Sequence, residues 1–493
     1  MTPAAATSVV ATTTPLTNRI DAFIAQPRFA HADWGIDVVS LDNGKTLYAH
    51  AADKLFVPAS NAKLYIVALA LDTLGAYARI TTSLYATTAS GADGTLAGDL
   101  ILYGRGDPSL GGPETSPDCA NRFAAALAAR GIRRVDGDLV ADDTFFQGPS
   151  IGSGWEANDL QSWFAPPASA LSVHGNVLQV RVARDGVRCC EVAVDPPDSG
   201  MQIVNQTANA ATNDEDALGL YRAPGADTLY VYGALPSGVT TKTYVVSAPD
   251  PALLAGNLLR DALKQHGIAL DGHVRVVHWP QADSAVTTPG TVTLAVIASP
   301  PLRDLIRHML KYSDNLYAQT LLLQVGAHAA QRGICADRAT PPRSSEGWGA
   351  CALRAMLARA GIAPEDATFE EGSGMSRKDL VTPAATVRLL AWIARQSFAS
   401  VLNDALPVAG VDGTLAHRLL GTFADNNLRA KTGTLTHVYA LSGYLTNARG
   451  EHLAFSLMLD RYQRPTDTLG RTVAPSPTDD LDAITVMLAG SSP

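Results

Sequence analysis

Hydrophobic and polar positions follow three successive textures along the chain. Between about 17 and 80 the pattern predicts a helix (TNRIDAFIAQ), two short strands in WGIDVVSLDNGKTLYAH, and an apolar helix after Pro58 (LYIVALALDTL). Asp42-Asn43-Gly44 separates the two strands, and Asn-Gly is a strong hairpin signal because both residues tolerate positive φ. From about 81 to 290, β-branched runs such as RITTSLYATTA, DLILYGRG, VLQVRVARDG and TLYVYGALP alternate with Gly, Asp and Pro. That stretch reads as mainly β, with one helical insert around 121–130. From about 291 helices return, in SPPLRDLIRHMLKYSDNLYAQTLLLQVG, CALRAMLARAGI and TPAATVRLLAWIARQ. A hairpin closes the chain, HVYALSGYLT and HLAFSLMLD about the turn Asn447-Ala448-Arg449-Gly450. Its strands are apolar on successive residues, which suits a sheet covered on both faces.

At 493 residues the chain exceeds what one core organises, so two or three domains are expected. An α/β domain split by a long, mainly β insertion is the simplest account. Apolar residues make up 46% and charged residues 17%, a balance that fits a compact fold with much buried surface. The net charge of -9 is scattered without single-sign runs, which argues against a nucleic-acid partner, since phosphates call for clustered Lys and Arg. No stretch reaches the ~20 apolar residues of a transmembrane anchor. The apolar helix after Pro58 is bracketed by Lys63 and Asp72 and reads as a buried core helix. Residues 1–16 read as a disordered lead-in. They lack the basic and apolar regions of a signal peptide, so the protein is cytosolic or an export signal has been removed. Five cysteines (Cys119, Cys189, Cys190, Cys335 and Cys351) are too sparse for a disulfide scaffold, and no CxxC pair suggests a metal. Cys335 and Cys351 flank a Pro/Gly/Ser-rich loop, and either a bridge or two thiols is compatible with that spacing.

Three short motifs carry the chemistry. Ser60-Asn61-Ala62-Lys63 opens the apolar helix, Ser313-Asp314-Asn315 lies in a helical region, and Lys431-Thr432-Gly433-Thr434 stands at the head of an apolar strand. Ser and Lys three residues apart share one helix face. A helix N-terminus favours a developing oxyanion. A serine hydroxyl is a weak nucleophile until a base takes its proton, and lysine serves only if burial or a neighbouring ammonium lowers its pKa. Lys431 is a candidate for that second charge. Each motif alone has a plain structural explanation as cap, surface polarity or turn. Together, in this order, they are the signature shared by class A β-lactamases and penicillin-binding proteins.

Further strings carry a closer resemblance: FVPASNAKL (56–64), YGRGDPSL (103–110), FAPPASALSV (164–173), EGSGMSRKDLVTP (371–383), PVAGVDGTLAHR (407–418) and RAKTGTLTHVYALSGYL (429–445). Over nearly its whole length the chain resembles the class C penicillin-binding proteins of the D-alanyl-D-alanine carboxypeptidase/endopeptidase kind, the penicillin-binding protein 4 type. The resemblance implies a serine β-lactamase-like transpeptidase domain, an antiparallel sheet flanked by helices, formed by 17–80 and 291–493. It also implies two inserted, mainly β domains, one from 81–104 and 170–290 and another, 105–169, nested within it. The ~250-residue gap between Ser60 and Ser313, which a class A β-lactamase has no room for, agrees with this.

The resemblance further implies that Ser60 is acylated, that Lys63 is the base, that Ser313 relays a proton to the leaving amine, and that Asn315 holds the substrate amide. Lys431 supplies positive potential, Thr432, Gly433 and Thr434 grip the terminal carboxylate, and the N–H groups of Ser60 and Thr434 form the oxyanion hole. Arg377 and an acid from the insertion, for which Asp159 is the candidate, would bind the far end of the stem peptide. Peptidoglycan peptides are the implied substrates and β-lactam antibiotics the implied covalent inhibitors. No cofactor or metal is called for, a periplasmic or extracytoplasmic location is implied, and a homodimer is admitted. Two departures stand out: Glu371 occupies a position where the family pattern has Asp, and Arg105 interrupts a glycine-rich string. Neither is expected to touch the chemistry. A serine β-lactamase or esterase with the same motifs, and a non-catalytic penicillin-binding scaffold, are the rival readings. Intact Ser60, Lys63, Ser313 and Lys431 weigh against the scaffold.

Overall fold

The computed structural model describes residues 15–112, 119–186, 189–209, 214, 217–281, 290–336 and 340–491. All but the end of the anticipated lead-in therefore lies outside the described residues. The architecture is mixed α/β, divided into two compact units: one from Met1–Pro58, Val381–Ala391 and Leu406–Pro493, the other from Ala59–Leu380 and Trp392–Ala405.

The first unit is built on a five-stranded antiparallel sheet in the order Arg429–Leu435, Val438–Thr446, His452–Asp460, Asp33–Ser40, Thr46–His50. Both hairpins predicted from the sequence form. The N-terminal one sets Val38 against Tyr48, with Gly44 at φ +75° in its turn. In the C-terminal one Val438 faces Asp460 and Thr446 faces His452, and Asn447 Oδ1 closes the turn by accepting the N–H groups of Arg449 (3.0 Å) and Glu451 (3.1 Å). One face packs Ile36, Val38, Leu441 and Leu457 against Ile20 of the helix Leu16–Ile24 and Ile484 and Leu488 of the helix Pro477–Ala489. Because side chains alternate across a strand, the pairings Lys431 with Ser442, Ser442 with Ser456 and Ser456 with Asp37 line up a polar row on the other face. All four are buried. The Lys-Thr-Gly motif occupies a strand of its own at the edge of this sheet, turning into the next strand at His437 (φ +65°).

In the second unit the helix Ala62–Leu74 is buried from Ala62 through Leu71. A helix apolar all round must be enclosed. It packs against the helices Asn315–Gln331 and Ser345–Arg359, and the Tyr65 ring lies 4.8 Å from that of Phe369. Strands fill 81–298, the largest sheet running Val274–Val277, Leu139–Asp142, Leu100–Tyr103, Thr81–Ala86, Val292–Ala298. Leu139–Asp142, which the sequence reading put in the nested segment, lies between strands of the enclosing segment, parallel to both neighbours. All four of its residues are buried, so no alternation announces it. The anticipated helix forms at Cys119–Ala129. A second one, Pro251–Gln265, starts where Asp250 Oδ1 accepts the Leu253 N–H at 3.0 Å and proline takes the first helical position. Cys335 is bridged to Cys351 and Cys189 to Cys190.

The pairing of Gly443 with Ala430 gives a direct test of the edge strand. A Cβ at 443 would run into the Arg429 carbonyl oxygen and sit 2.6 Å from Ala430 Cα. Gly443→Ala is therefore expected to cost about 1–3 kcal/mol, measured as a lowered midpoint in urea unfolding. An unchanged midpoint would contradict the strand register.

Candidate active site

Ser60 sits in the short 3-10 turn Ala59–Asn61 that leads into the helix Ala62–Leu74, and Lys63 lies in the first turn of that helix. Lys63 is fully buried. Its ammonium donates to three acceptors: Ser60 Oγ at 2.8 Å, Asn315 Oδ1 at 2.7 Å and the Ser373 carbonyl at 2.6 Å. Those acceptors use all three protons of the ammonium. Burial brings its pKa down to about 8, against the opposing pull of the Glu371 and Asp314 carboxylates.

Asn315 bridges two segments, since its Nδ2 donates to the Phe164 carbonyl at 2.8 Å while its Oδ1 accepts from Lys63. The string FAPPASALSV is thereby tied to the helix that carries Lys63. The Ser313-Asp314-Asn315 motif does not run through a continuous helix. The helix Leu302–Tyr312 ends at Ser313, which adopts the left-handed conformation (φ +59°), and Asp314 caps the next helix by accepting the Tyr317 N–H at 3.1 Å. Hydrophobic periodicity continues across this break, which is why the sequence concealed it. The break presents Ser313 and Asn315 at a helix junction instead of on a cylinder wall. His308 stacks on Tyr317 with ring centroids 4.3 Å apart and reaches Asp314 at 3.3 Å.

The third acceptor of Lys63 comes from the turn EGSGMSR (371–377), of which the sequence assigns a role only to Arg377. Glu371 is wholly buried. Its Oε2 accepts from the Ser373 N–H (2.6 Å), the Ser373 hydroxyl (2.6 Å) and Trp155 Nε1 (3.1 Å). Its Oε1 accepts from the N–H groups of Gly374 (2.6 Å), Met375 (2.9 Å) and Ser376 (3.3 Å). Gly374 is at φ +83°, and a Cβ there would collide with the Ala59 carbonyl oxygen, so the turn lies tight against the residue before Ser60. Asp379 is buried as well. It accepts the Glu370 N–H at 2.7 Å through Oδ1, and its carboxyl faces that of Glu371. Burial, with the Glu371 charge beside it, pushes the Asp379 pKa well above the carboxylate range.

Arg377 pairs through Nε with Glu156 Oε1 at 2.9 Å, both side chains partly exposed. Asp159, the acid picked from the sequence, lies close enough for the Arg377 charge to act on it. It lies three residues on, in the turn Ala157–Gln161, with its pKa raised by partial burial and by Glu156. Two acids three positions apart cannot be ranked by sequence alone, and the turn brings Glu156 to the guanidinium. In the other unit Lys431 is fully buried, its Nζ donating to the Thr432 carbonyl at 2.8 Å, and the Thr432 hydroxyl donates to Thr414 Oγ1 at 2.9 Å. Gly433 and Thr434 follow on the same strand. Arg105 donates to Ser83 Oγ at 2.8 Å and Tyr85 Oη at 2.7 Å, a structural role within the sheet. Among the described residues, no group of three or more His, Cys, Asp or Glu side chains is placed to hold a metal ion, and no helix is long and apolar enough to cross a membrane.

A serine hydroxyl hydrogen-bonded to a buried lysine, itself held by an asparagine from a second motif, is the arrangement of a serine acyl-transfer site. The chain belongs to the D-Ala-D-Ala carboxypeptidase 3 (S13) family, whose model matches residues 16–475. It is 32% identical over 505 residues to the D-alanyl-D-alanine carboxypeptidase of Actinomadura sp. strain R39, covering 99% of this chain and 87% of that protein. It is 30% identical over 375 residues to the D-alanyl-D-alanine carboxypeptidase DacB of Haemophilus influenzae, covering 75% of this chain and 73% of that one. The crystal structure of penicillin binding protein 4 from Haemophilus influenzae superposes with a TM-score of 0.79 at 26% identity, over 95% of this chain and 97% of that one. A second structure of that protein, complexed with a β-lactam, gives a TM-score of 0.75 at 25% identity.

The Asp379 carboxyl makes a prediction of its own. Its raised native pKa means the folded state binds more protons than the unfolded state above the unfolded pKa near 3.8, so the group withdraws stability as pH rises from there. Asp379→Asn keeps the acceptor for Glu370 and places a donor where the proton would be. It is expected to raise the melting temperature by a few degrees at pH 7–8, with the gain vanishing toward pH 4. A variant less stable than wild type at pH 7 by calorimetry would count against a protonated Asp379.

Proposed function

We propose that the chain is a serine D-alanyl-D-alanine carboxypeptidase that also acts as a D,D-endopeptidase on peptidoglycan stem peptides, through an acyl-enzyme on Ser60. The observation that carries this reading is the 2.8 Å contact of Ser60 Oγ with a lysine whose pKa is brought down to about 8. Neutral Lys63 takes the hydroxyl proton as Ser60 Oγ attacks the carbonyl between the two D-alanines. The C–N bond then breaks and the amine leaves with a proton relayed through Ser313. Water hydrolyses the ester and frees Ser60. Carboxypeptidase and endopeptidase share the acyl-enzyme and differ in the amine that leaves, a free D-alanine or a cross-linking stem.

In the same reading Asn315 holds the substrate amide, Lys431 supplies positive potential, and Thr432, Gly433 and Thr434 bind the terminal carboxylate. Arg377, with Glu156 and Asp159 around it, receives the far end of the stem. The inserted segment 81–290 forms the additional domains that the resemblance implies. β-Lactams acylate the same hydroxyl, and action on peptidoglycan puts the protein outside the cytoplasm.

Intact-mass spectrometry after addition of benzylpenicillin tests the assignment. Peptide mapping is expected to place the adduct on Ser60, with slow release, and Ser60→Ala is expected to stay unlabelled. Label on another residue, or rapid turnover of the antibiotic, overturns the reading. Lys63→Gln should slow acylation by roughly 10²–10⁴-fold. Because the neutral amine is the active form, the wild-type acylation rate should climb with pH and reach half its plateau near pH 8. A rate flat from pH 6 to 9 would remove Lys63 as the base.

A further inference from the structure

We propose that Glu371 is a positioning residue for acylation: its buried carboxylate gathers the N–H groups of 373–376 into one turn and so aims the Ser373 carbonyl at Lys63 Nζ. The proposal rests on the reading of Ser60 and Lys63 given above. It concerns a residue that does not touch the substrate but decides how the base is held.

Lysine nitrogen is tetrahedral, and three of its four positions face Ser60 Oγ, Asn315 Oδ1 and the Ser373 carbonyl. The two carbonyl oxygens can only accept, whereas the hydroxyl can also donate. Once Lys63 has lost a proton, its two remaining N–H groups therefore stay on Asn315 and Ser373. The lone pair falls on the third position, facing the Ser60 hydroxyl. With either acceptor displaced, the amine can rotate and the lone pair is no longer tied to Ser60. Asn315 is fixed from its other end by the Phe164 carbonyl at 2.8 Å. The Ser373 carbonyl has no such tether, and its direction follows from the turn that contains it.

That turn is organised by one carboxylate. Five of the six hydrogen bonds that Glu371 accepts come from residues 373–376: four successive backbone N–H groups and the Ser373 hydroxyl. The sixth comes from Trp155. In a trans peptide each carbonyl points opposite to the N–H of the next residue, so four N–H groups converging on one anion turn the carbonyls of 372–375 away from it. The Ser373 carbonyl is the one that meets Lys63. A neutral amide at 371 would offer one acceptor oxygen and oppose the remaining N–H groups with its own NH₂ donors. The charge matters for a second reason. Glu371 and Asp314 are the carboxylates whose fields act on Lys63, and both hold its pKa higher than burial alone would leave it. Glu346 and Asp379 are the acids that face Glu371 in turn.

The test measures the benzylpenicillin acylation rate constant from pH 5 to 10 on full-length wild type, Glu371→Gln, Glu371→Asp and Ser373→Ala, with folding checked by circular dichroism and melting temperature. Glu371→Gln should acylate about tenfold to a hundredfold more slowly at its plateau, with the non-covalent binding constant little changed. Its acidic limb should move to lower pH, because a negative charge near Lys63 is gone. Glu371→Asp restores the charge and should return the limb to its wild-type position and most of the rate. Ser373→Ala removes only the hydroxyl that donates to Glu371, and it carries the test if Glu371→Gln fails to fold. It should lose about threefold or more in rate with the limb unmoved. A folded Glu371→Gln or, failing that, a folded Ser373→Ala with wild-type rate overturns the proposal while Ser60 labelling in wild type still stands. Wild type that never labels on Ser60 overturns the functional reading and the proposal with it.

Discussion

A positive charge with no access to water organises the second unit. Leaving an ammonium buried without partners is prohibitively costly. Each of the three Lys63 protons must therefore meet an oxygen, and the oxygens come from residues 60, 315 and 373. Three distant stretches of chain are thereby required at one point. The Gly374 backbone lying against Ala59, the Asn315 amide reaching Phe164 and the capping of a new helix by Asp314 are the local conditions that let them arrive. A hydrogen bond between neutral groups could be lost at modest cost. Losing one of these leaves part of a charge unpaired, which is why the surrounding turns are so completely specified.

Some of this was legible from residues alone. Ser60, Lys63 and Asn315 carry their chemistry in their side chains, so motif order was enough to group them. The hairpins at Asn43-Gly44 and at 447–450 were equally plain, because turn chemistry and strand apolarity coincide there. The Ser373 carbonyl was not legible. A backbone atom has no residue type, and its role exists only through the conformation of 371–377. The helix break at Ser313 was hidden for a related reason: Leu310 and Leu316 continue an apolar pattern whether or not the backbone is interrupted between them. The helix Pro251–Gln265 was passed over inside a β-rich texture, although Asp250-Pro251 is a recognisable start signal. Glu156 was not singled out beside Asp159 because the placing of acids one turn apart depends on a 3-10 turn that sequence does not determine.

Glu371 shows how a departure from a family pattern can mislead. From sequence the change from Asp to Glu looked remote from the chemistry, because both are acids and neither belongs to the three motifs. In the folded chain the side chain receives six donors, and the turn it organises supplies an acceptor to Lys63. The substitution keeps the charge and alters the reach.

The same set of contacts explains why the lysine stops near 8 instead of falling further. Burial lowers the pKa of Lys63, while the carboxylates of Glu371 and Asp314 raise it. A base is most effective when its pKa lies close to the working pH, since a much lower value weakens its pull on the serine proton and a much higher one leaves it protonated. Enclosure alone would drive the amine toward the weak end, and two fixed carboxylates hold it back. Asp379, beside Glu371, has its own pKa pushed well above the carboxylate range by burial and by the Glu371 charge. In the proposed mechanism the reactivity of Ser60 is thus set by a balance between burial of Lys63 and the Glu371 and Asp314 carboxylates.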